Sequence, residues 1–186
     1  MIPDGLPTDR MTVDRFEAWL GDGAPPGRYE LSCGLIVAMA AERVAHNRVK
    51  VAVLDALRAA AHGLDCEALA DGMAVRVDEW TLREPDAALR CGPRLPADAV
   101  RYDDPVVVVE VTSPSTASTD MAEKLVEYAR LPSLAHYVIV ALETRMVVHH
   151  RRTGDGFATT LHPGGRLRLD PPGIEVDLGP ILEAGA

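Results

Sequence analysis

The stretch VVVVEVTSPST, residues 106–116, decides how the rest of the chain is read. Five of its first six residues are Val, and the other is Glu110. A β-branched run without polar alternation is the pattern of a strand covered on both faces. A carboxylate in such a strand is costly unless it is paired or binds a metal ion. The Ser, Thr and Pro that follow read as a strand-to-helix turn rich in capping groups.

Downstream of this strand, set at 105–112, a helix is expected near 118–131, stopped before Pro132. AHYVIVAL, 135–142, reads as a second buried strand, and RMVVHHRR, 145–152, as its hairpin partner. The unit from the Val strand through the helix to HYVIV predicts a right-handed crossover between parallel strands. Upstream, MTVDRFEAWL, 11–20, predicts a short amphipathic helix with Val13, Phe16, Trp19 and Leu20 inward. RYEL and LIVAM read as two strands around a tight SCG turn. Residues 42–63 carry the longest helical pattern, with Val49, Val53, Leu57 and Ala60 on one stripe and Gly63 as its cap. MAVRV, 73–77, and PDAALR, 85–90, read as short strands. GDGAPPG, 21–27, and LHPGGRLRLDPPG, 161–173, read as loop or turn, and GIEVDLGPIL adds one strand at most.

The expected class is therefore α/β, a mixed central sheet flanked by helices. The expected organisation is one domain over 1–186, with an N-terminal helix and loop at 1–27 and a C-terminal extension at 161–186. Its 186 residues are enough for one good core. No apolar run reaches the ~18–20 residues of a membrane span, and MIPDGLPTDR lacks the regions of a signal peptide. The expectation is a cytoplasmic protein with no membrane partner. Cys33, Cys66 and Cys91 are odd in number, far apart and without a CxxC pair, which argues against a disulfide framework or a structural zinc. The 28 Asp and Glu against 19 Lys and Arg, net −9, argue against tight non-specific nucleic-acid binding but leave room for a local basic patch.

Four charged residues stand where apolar patterning does not put them: Glu30, Asp86, Glu110 and Lys124. Two carboxylates brought close repel, and a divalent cation turns that repulsion into attraction. Hard oxygen donors without a Cys/His cluster suit Mg²⁺, with Mn²⁺ as the alternative ion. Each residue also has a plainer reading. Glu110 can end a strand in solvent, and Asp86 after Pro85 can bond its own backbone in a turn. Lys124 can pair with Asp120 one helical turn earlier, and Asp120 with Glu123 fits a capping box. Glu30 can face solvent, as hairpin carboxylates commonly do. His46, at the start of the long helix, can face the cleft but reads first as a surface histidine. His149 and His150 are adjacent, so on a strand they point to opposite faces and cannot jointly ligate a metal. Ser113 and Ser115 lack the His-Asp partners or GxSxG context of a nucleophile.

A Pro-Asp opening one strand and a Glu near the end of the next is the outline of the PD-(D/E)XK nuclease pattern. MTVDRFEAWL, GRYELSCGLIVAM, AHNRV, REPDAAL, VVVVEVTSPSTASTDMAEKLVEYARL, AHYVIV and RMVVHHRRTGDGF follow in order. Together they resemble the Uma-type family of restriction-endonuclease-like proteins, over nearly the whole chain. The resemblance implies a restriction-endonuclease-like core and Mg²⁺-dependent phosphodiester hydrolysis. It implies Asp86 and Glu110 as metal ligands, the Val111 carbonyl as a third, and Lys124 as a migrated catalytic lysine. Glu30 corresponds to a Glu on the family's first hairpin, as proton acceptor or outer-shell partner of the metal. The partner implied is nucleic acid, DNA before RNA, and a homodimer supplies two sites for two strands. The chain departs from the pattern at three places. Thr112 stands where the strict motif has Lys, SCG replaces the usual turn with Asp, and Ala141 replaces an Asp after the second buried strand. The rival expectation is a catalytically silent nuclease-fold module that binds or assembles.

Overall fold

The Val run lies in the middle of the larger of two main sheets, covered on both faces as its composition requires. The computed structural model describes residues 6–112, 119–154 and 156–185, with the side chains of 119 and 120 excluded. In chain order the elements are α1 (Val13–Gly21), β1 (Tyr29–Ser32), β2 (Leu35–Ala38), α2 (Val44–Ala60), β3 (Cys66–Ala70) and β4 (Ala74–Arg76). Then come β5 (Leu82–Arg83), β6 (Ala87–Cys91), β7 (Arg101–Tyr102), β8 (Pro105–Thr112), α3 (Thr119–Tyr128) and β9 (His136–Ala141). The chain continues with β10 (Met146–Thr153), β11 (Gly156–His162), β12 (Arg166–Leu169), β13 (Ile174–Asp177) and α4 (Gly179–Ala184).

The larger sheet has the order β11-β10-β9-β8-β6-β3, and β8 pairs parallel with β9, as the crossover reading expects. The remaining pairs in this sheet are antiparallel, so the sheet is mixed. A second sheet, β2-β1-β5-β4-β7, carries the N-terminal hairpin. The alternation of β8 divides the core in two. Val107, Val109 and Val111 face the α2 stripe of Val49, Val53 and Leu57, together with β12, β13 and α4. Val108 faces Tyr128 of α3, Tyr137 and Ile139 of β9, and Val75 of β4. A third apolar cluster, with Val13 and Phe16 of α1 against Tyr29 and Leu31 of β1, attaches the N-terminal helix to the second sheet. α1 opens on Thr12, whose hydroxyl accepts from Arg15 N at 3.4 Å. Its outer end is corrected: Leu20 is exposed, and only Val13 and Phe16 are buried.

The SCG turn is tight because Cys33 and Gly34 both adopt positive φ, 47° and 86°. That is the backbone twist two-residue hairpins favour. Gly34 is also enclosed, since an added Cβ comes within 3.2 Å of the Met11 carbonyl and the Trp80 ring. α2 closes on Ala61 rather than on Gly63, which takes its positive φ two residues later. Residues 113–118, which include the Ser/Thr/Pro run read as a turn, lie outside the described residues. Among the described residues no helix is long and apolar enough to cross a membrane.

Three readings are corrected by pairing that local pattern does not show. The 161–173 segment is not only loop: Leu167 and Leu169 alternate with Arg166 and Arg168 to form β12, which pairs with β13. The tail therefore carries a two-stranded sheet and α4. Residues 66–70 form the edge strand β3, unpredicted because CEALA has no β-branched run. This strand also overturns the expectation against a disulfide. β3 pairs antiparallel with β6, which sets Cys66 directly opposite Cys91, and the two are bonded. Cys33 remains a free thiol. The β9–β10 register also brings His136 Nδ1 within 2.8 Å of His149 Nε2, both buried, while His136 Nε2 donates to the Pro171 carbonyl at 3.0 Å. His150, on the opposite face, meets the Thr159 hydroxyl at 2.8 Å.

The disulfide spans a separation of 25 residues. Removing a loop closure of that size costs about 3 kcal/mol, or roughly 5–10 °C in melting temperature for a chain of this length. Melting of Cys66→Ser against wild type under oxidising conditions is expected to show this loss, with Cys33→Ser as the unaffected control. Equal melting temperatures for wild type with and without reductant would show that the bond contributes nothing.

Candidate active site

The charged residues of the central strands converge at the end of β8. Asp86 lies one residue before β6, whose register pairs Ala87 with Val109. This sets Asp86 beside the Glu110–Val111 segment, and Asp86 Oδ2 accepts from the Val111 amide at 2.6 Å. Glu110 is on the α3 side of the sheet. Its Oε2 accepts from Lys124 Nζ at 2.9 Å and its Oε1 from the Tyr128 hydroxyl at 3.0 Å. Lys124 and Tyr128 stand four apart on α3, so one helix face delivers both donors to the same carboxylate. Asp86 has its own ammonium, Lys50 Nζ of α2, at 3.2 Å from Oδ1.

Glu30 enters from β1 and is 4 % exposed. The solvent-facing reading of this residue is therefore corrected. Its Oε2 accepts from Arg83 Nη1 at 2.8 Å and its Oε1 from the Glu84 amide at 2.8 Å. Lys124 Nζ lies 3.8 Å from Glu30 Oε1, so the ammonium stands between Glu30 and Glu110. Arg83, 1 % exposed, spends its remaining side on Glu127, Nε to Oε2 at 2.6 Å, and Glu127 Oε1 accepts from the Ser32 hydroxyl at 2.7 Å. On the α2 side, Lys50 also bonds Glu42 at 2.6 Å and Asp71, and Arg28 ties Asp71 to Glu84.

A cleft of about 590 Å³ opens over this centre, lined by Glu30, Glu42, His46, Asp86, Glu110, Val111 and Lys124 among others. The five residues singled out in the sequence thus border one space. The pairing of Lys124 with Asp120 involves a side chain outside the described residues; what the structure gives Lys124 is Glu110. His46 is corrected from surface residue to cleft residue: its Nε2 donates to the Val111 carbonyl at 2.6 Å and lies 3.7 Å from Asp86 Oδ2. Glu42, Lys50, Arg83 and Tyr128 were not anticipated. Glu42, His46 and Lys50 do repeat every four residues beside the apolar stripe of α2, a signal present in the sequence.

Burial governs the electrostatics. Desolvation pushes the Glu110 carboxyl up to about 7, against the pull of Lys124 and with the charges of Asp86 and Glu30 adding to the rise. Desolvation also raises Asp86, although the Val111 amide, Lys50 and His46 favour its charged form. Burial pulls Lys50 down, but its bonds to Asp71 and Glu42 outweigh this and leave it above the ordinary lysine range. Asp71 is raised by burial and lowered more strongly by Arg28 and Lys50, so it lies below its ordinary value. Asp86, Glu110 and the Val111 carbonyl offer oxygen atoms at the cleft, and one ligand atom each of Glu42, His46 and Asp86 lies within 4.8 Å of the others.

The model of the Uma2 family, described as "Putative restriction endonuclease", matches residues 13–179. The chain belongs to this family. An uncharacterised protein of Synechocystis sp. is 27 % identical over 171 residues, covering 90 % of this chain and 89 % of its own. The fold matches a crystal structure from Anabaena variabilis described as "a putative nuclease belonging to DUF820", with TM-score 0.76 at 12 % identity, over 95 % of this chain and 99 % of that one. The Uma2 chain therefore has a nuclease-like, restriction-endonuclease-like fold.

Arg83 neutralises two buried carboxylates at once. Arg83→Met removes the guanidinium that both share and is expected to cost about 3–5 kcal/mol in urea unfolding. Adding Glu127→Gln in the same chain should recover part of the loss. A single-variant loss below about 1 kcal/mol would show that Glu30 is held by other contacts.

Proposed function

We propose that this Uma2 protein is a divalent-metal-dependent endonuclease that hydrolyses phosphodiester bonds of nucleic acid, DNA before RNA. The observation that carries the reading is that Asp86 and Glu110, both buried and both with carboxyls raised above their ordinary values, border one cleft with a lysine on each. A structural ion pair does not need two carboxylates from neighbouring strands at a cleft floor; a cation site does. Asp86, Glu110 and the Val111 carbonyl would hold Mg²⁺ or Mn²⁺. When bound, the ion acidifies a water and neutralises a phosphate oxygen.

The remaining steps belong to the chain's own residues. Tyr128 fixes one oxygen of Glu110, which leaves the other for Lys124 or for a ligand. Lys124, released from Glu110, keeps Glu30 beside it and offers its charge to the phosphate in the transition state. Thus it takes the role of the lysine that Thr112 lacks. Glu30 is clamped by Arg83 and the Glu84 amide, so it orients Lys124 rather than moving with it. A second copy of the chain would present a second cleft for the opposite strand. The edge strand β2, with Leu35 and Val37 exposed, is an apolar surface on which such a pair could form.

A second reading, a silent nuclease-fold module, rests on a specific observation. Lys50 and Lys124 already neutralise both carboxylates, so the cluster is complete without an ion.

Metal-dependent melting separates the two. Mg²⁺ or Mn²⁺ at millimolar concentration is expected to raise the melting temperature, and Asp86→Ala to abolish the rise. pH supplies an independent check. The folded Glu110 carboxyl, raised from 4.5 to about 7, contributes stability that is present below 4.5 and lost as pH rises through about 7. Metal must displace that proton, so the Mg²⁺-induced shift should grow between pH 6 and pH 8, with proton release on binding. Cleavage of plasmid and of single-stranded oligonucleotide by wild type, lost in Glu110→Gln, completes the test. Absence of any metal-dependent stabilisation at any pH in this window would leave the silent module as the reading.

A further inference from the structure

The cleft has an acidic floor and apolar sides, and the proposed hydrolysis uses only the floor. The chain runs out of β2 as AMAA, residues 38–41, and all four border the cleft. Ala40 and Ala41 are exposed and belong to no helix or strand. Among the described residues, no backbone hydrogen bond engages either of them. Their methyl side chains leave a low, flat surface with unspent amide and carbonyl groups beside it. Met121 of α3 and Leu142, just after β9, add apolar surface to the same cleft. The basic groups are mostly committed: Lys50 meets Asp86, and Lys124 meets Glu110. Arg43 also borders the cleft; it is exposed and, among the described residues, joins no ion pair.

Taking the cleft as the nucleic-acid site proposed above, we infer that it receives an unpaired nucleotide, with the base against the 38–41 segment and the phosphate toward Arg43, so that the substrate is single-stranded or locally opened nucleic acid rather than an intact duplex. A duplex keeps its bases stacked inward and presents phosphates, sugars and groove edges. It would give the apolar sides of the cleft nothing to cover. An unstacked base has two apolar faces and a polar edge, which suits a methyl-lined surface with backbone groups to spare. The volume of about 590 Å³ is that of a site enclosing a small molecule, not of a groove that cradles a double helix. Charge points the same way. A duplex is gripped by rows of Lys and Arg that neutralise many phosphates. A single uncommitted Arg beside an acidic floor suits a strand that brings few phosphates near and gains its hold from a buried base.

The plainer account is an exposed apolar segment that contacts no ligand. The two accounts differ in what removal of the bases does. Fluorescence anisotropy of the full chain with a short labelled DNA oligonucleotide in millimolar Mg²⁺ is the experiment, and a gel of the same samples reads hydrolysis. The single strand is expected to bind roughly 10-fold or more tightly than the same sequence annealed as a blunt duplex. A duplex with a run of mismatches should bind like the single strand. A single strand of abasic sites keeps every phosphate and has no bases, and should lose roughly the same 10-fold. Ala40→Gln, at an exposed position outside any helix or strand, should reproduce this loss for the normal strand and leave the abasic strand unchanged. Arg43→Gln should weaken both strands and reduce the salt slope by about one. Equal binding of normal and abasic strands, tighter binding of the blunt duplex, or no binding of any strand overturns the inference. Base-dependent binding of the single strand without hydrolysis in Mg²⁺ or Mn²⁺ removes the hydrolytic reading and leaves the inference standing. Hydrolysis of the blunt duplex as fast as of the single strand does the reverse.

Discussion

Everything in the molecule accommodates one constraint: negative charge at the end of a strand that has no solvent on either face. Glu110, Asp86 and Glu30 meet at the end of β8 under a low local dielectric, where an unpaired carboxylate is expensive. Each is answered by a cation from a different element: Lys124 from α3, Lys50 from α2 and Arg83 from β5. The two helices are therefore held to the sheet by charge as well as by the apolar faces that pack on it. The second sheet is held in the same way, since Arg83 joins β1, β5 and α3 through Glu30 and Glu127. A change in any one of these groups exposes the others to an uncompensated neighbour, which couples the site to the fold.

Much of the fold was legible because it follows from short-range rules. The Val strand, the parallel crossover to HYVIV, the long helix and the N-terminal hairpin each carry their own periodicity. What was not legible is pairing between distant segments. CEALA is a strand only because β6 offers it an edge, and once it pairs there Cys66 must face Cys91. The alternation in RLRL was present but short, and its Gly and Pro flanks outweighed it as turn signals. In the candidate site, Glu110 and Asp86 were visible as charges out of pattern. Their counter-charges were not, because Lys50 and Arg83 look ordinary in sequence and acquire meaning only when the fold buries them among carboxylates from distant segments. His46 failed for a similar reason: at the first turn of a helix its direction depends on how the helix lies on the sheet.

The departures from the family pattern have a physical reading of their own. With Thr112 at the position of the strict lysine, the ammonium comes from the following helix, and α3 places it on Glu110 with Tyr128 beside it. A lysine delivered by a helix stands outside the strand's alternation, so it can touch Glu110 and Glu30 together, which a residue on β8 facing one side cannot do. At the hairpin turn, Cys33 holds a left-handed backbone where Asp or Asn is better tolerated. Its thiol lies 3.7 Å from Glu127 Oε1. An Asp there would set a second carboxylate against one that Arg83 already has to balance, so Cys trades backbone comfort for less crowding of charge.

The same bookkeeping of charge bears on how an acidic protein can meet a polyanion. The cleft is lined by Glu30, Glu42, Glu84, Asp86, Glu110 and Glu143 against Arg43, His46 and Lys124. Lys124 is already committed to Glu110, so in the metal-free state the cleft offers a phosphate little net attraction, and the chain as a whole repels it at net −9. Under the proposed function a divalent ion on the carboxylates would change both facts together, by neutralising the acids and releasing Lys124 toward the cleft. On this charge balance the proposed function would require metal and nucleic acid to bind in that order. The acidic balance that argues against unaided nucleic-acid binding would then be the condition that makes binding depend on the ion.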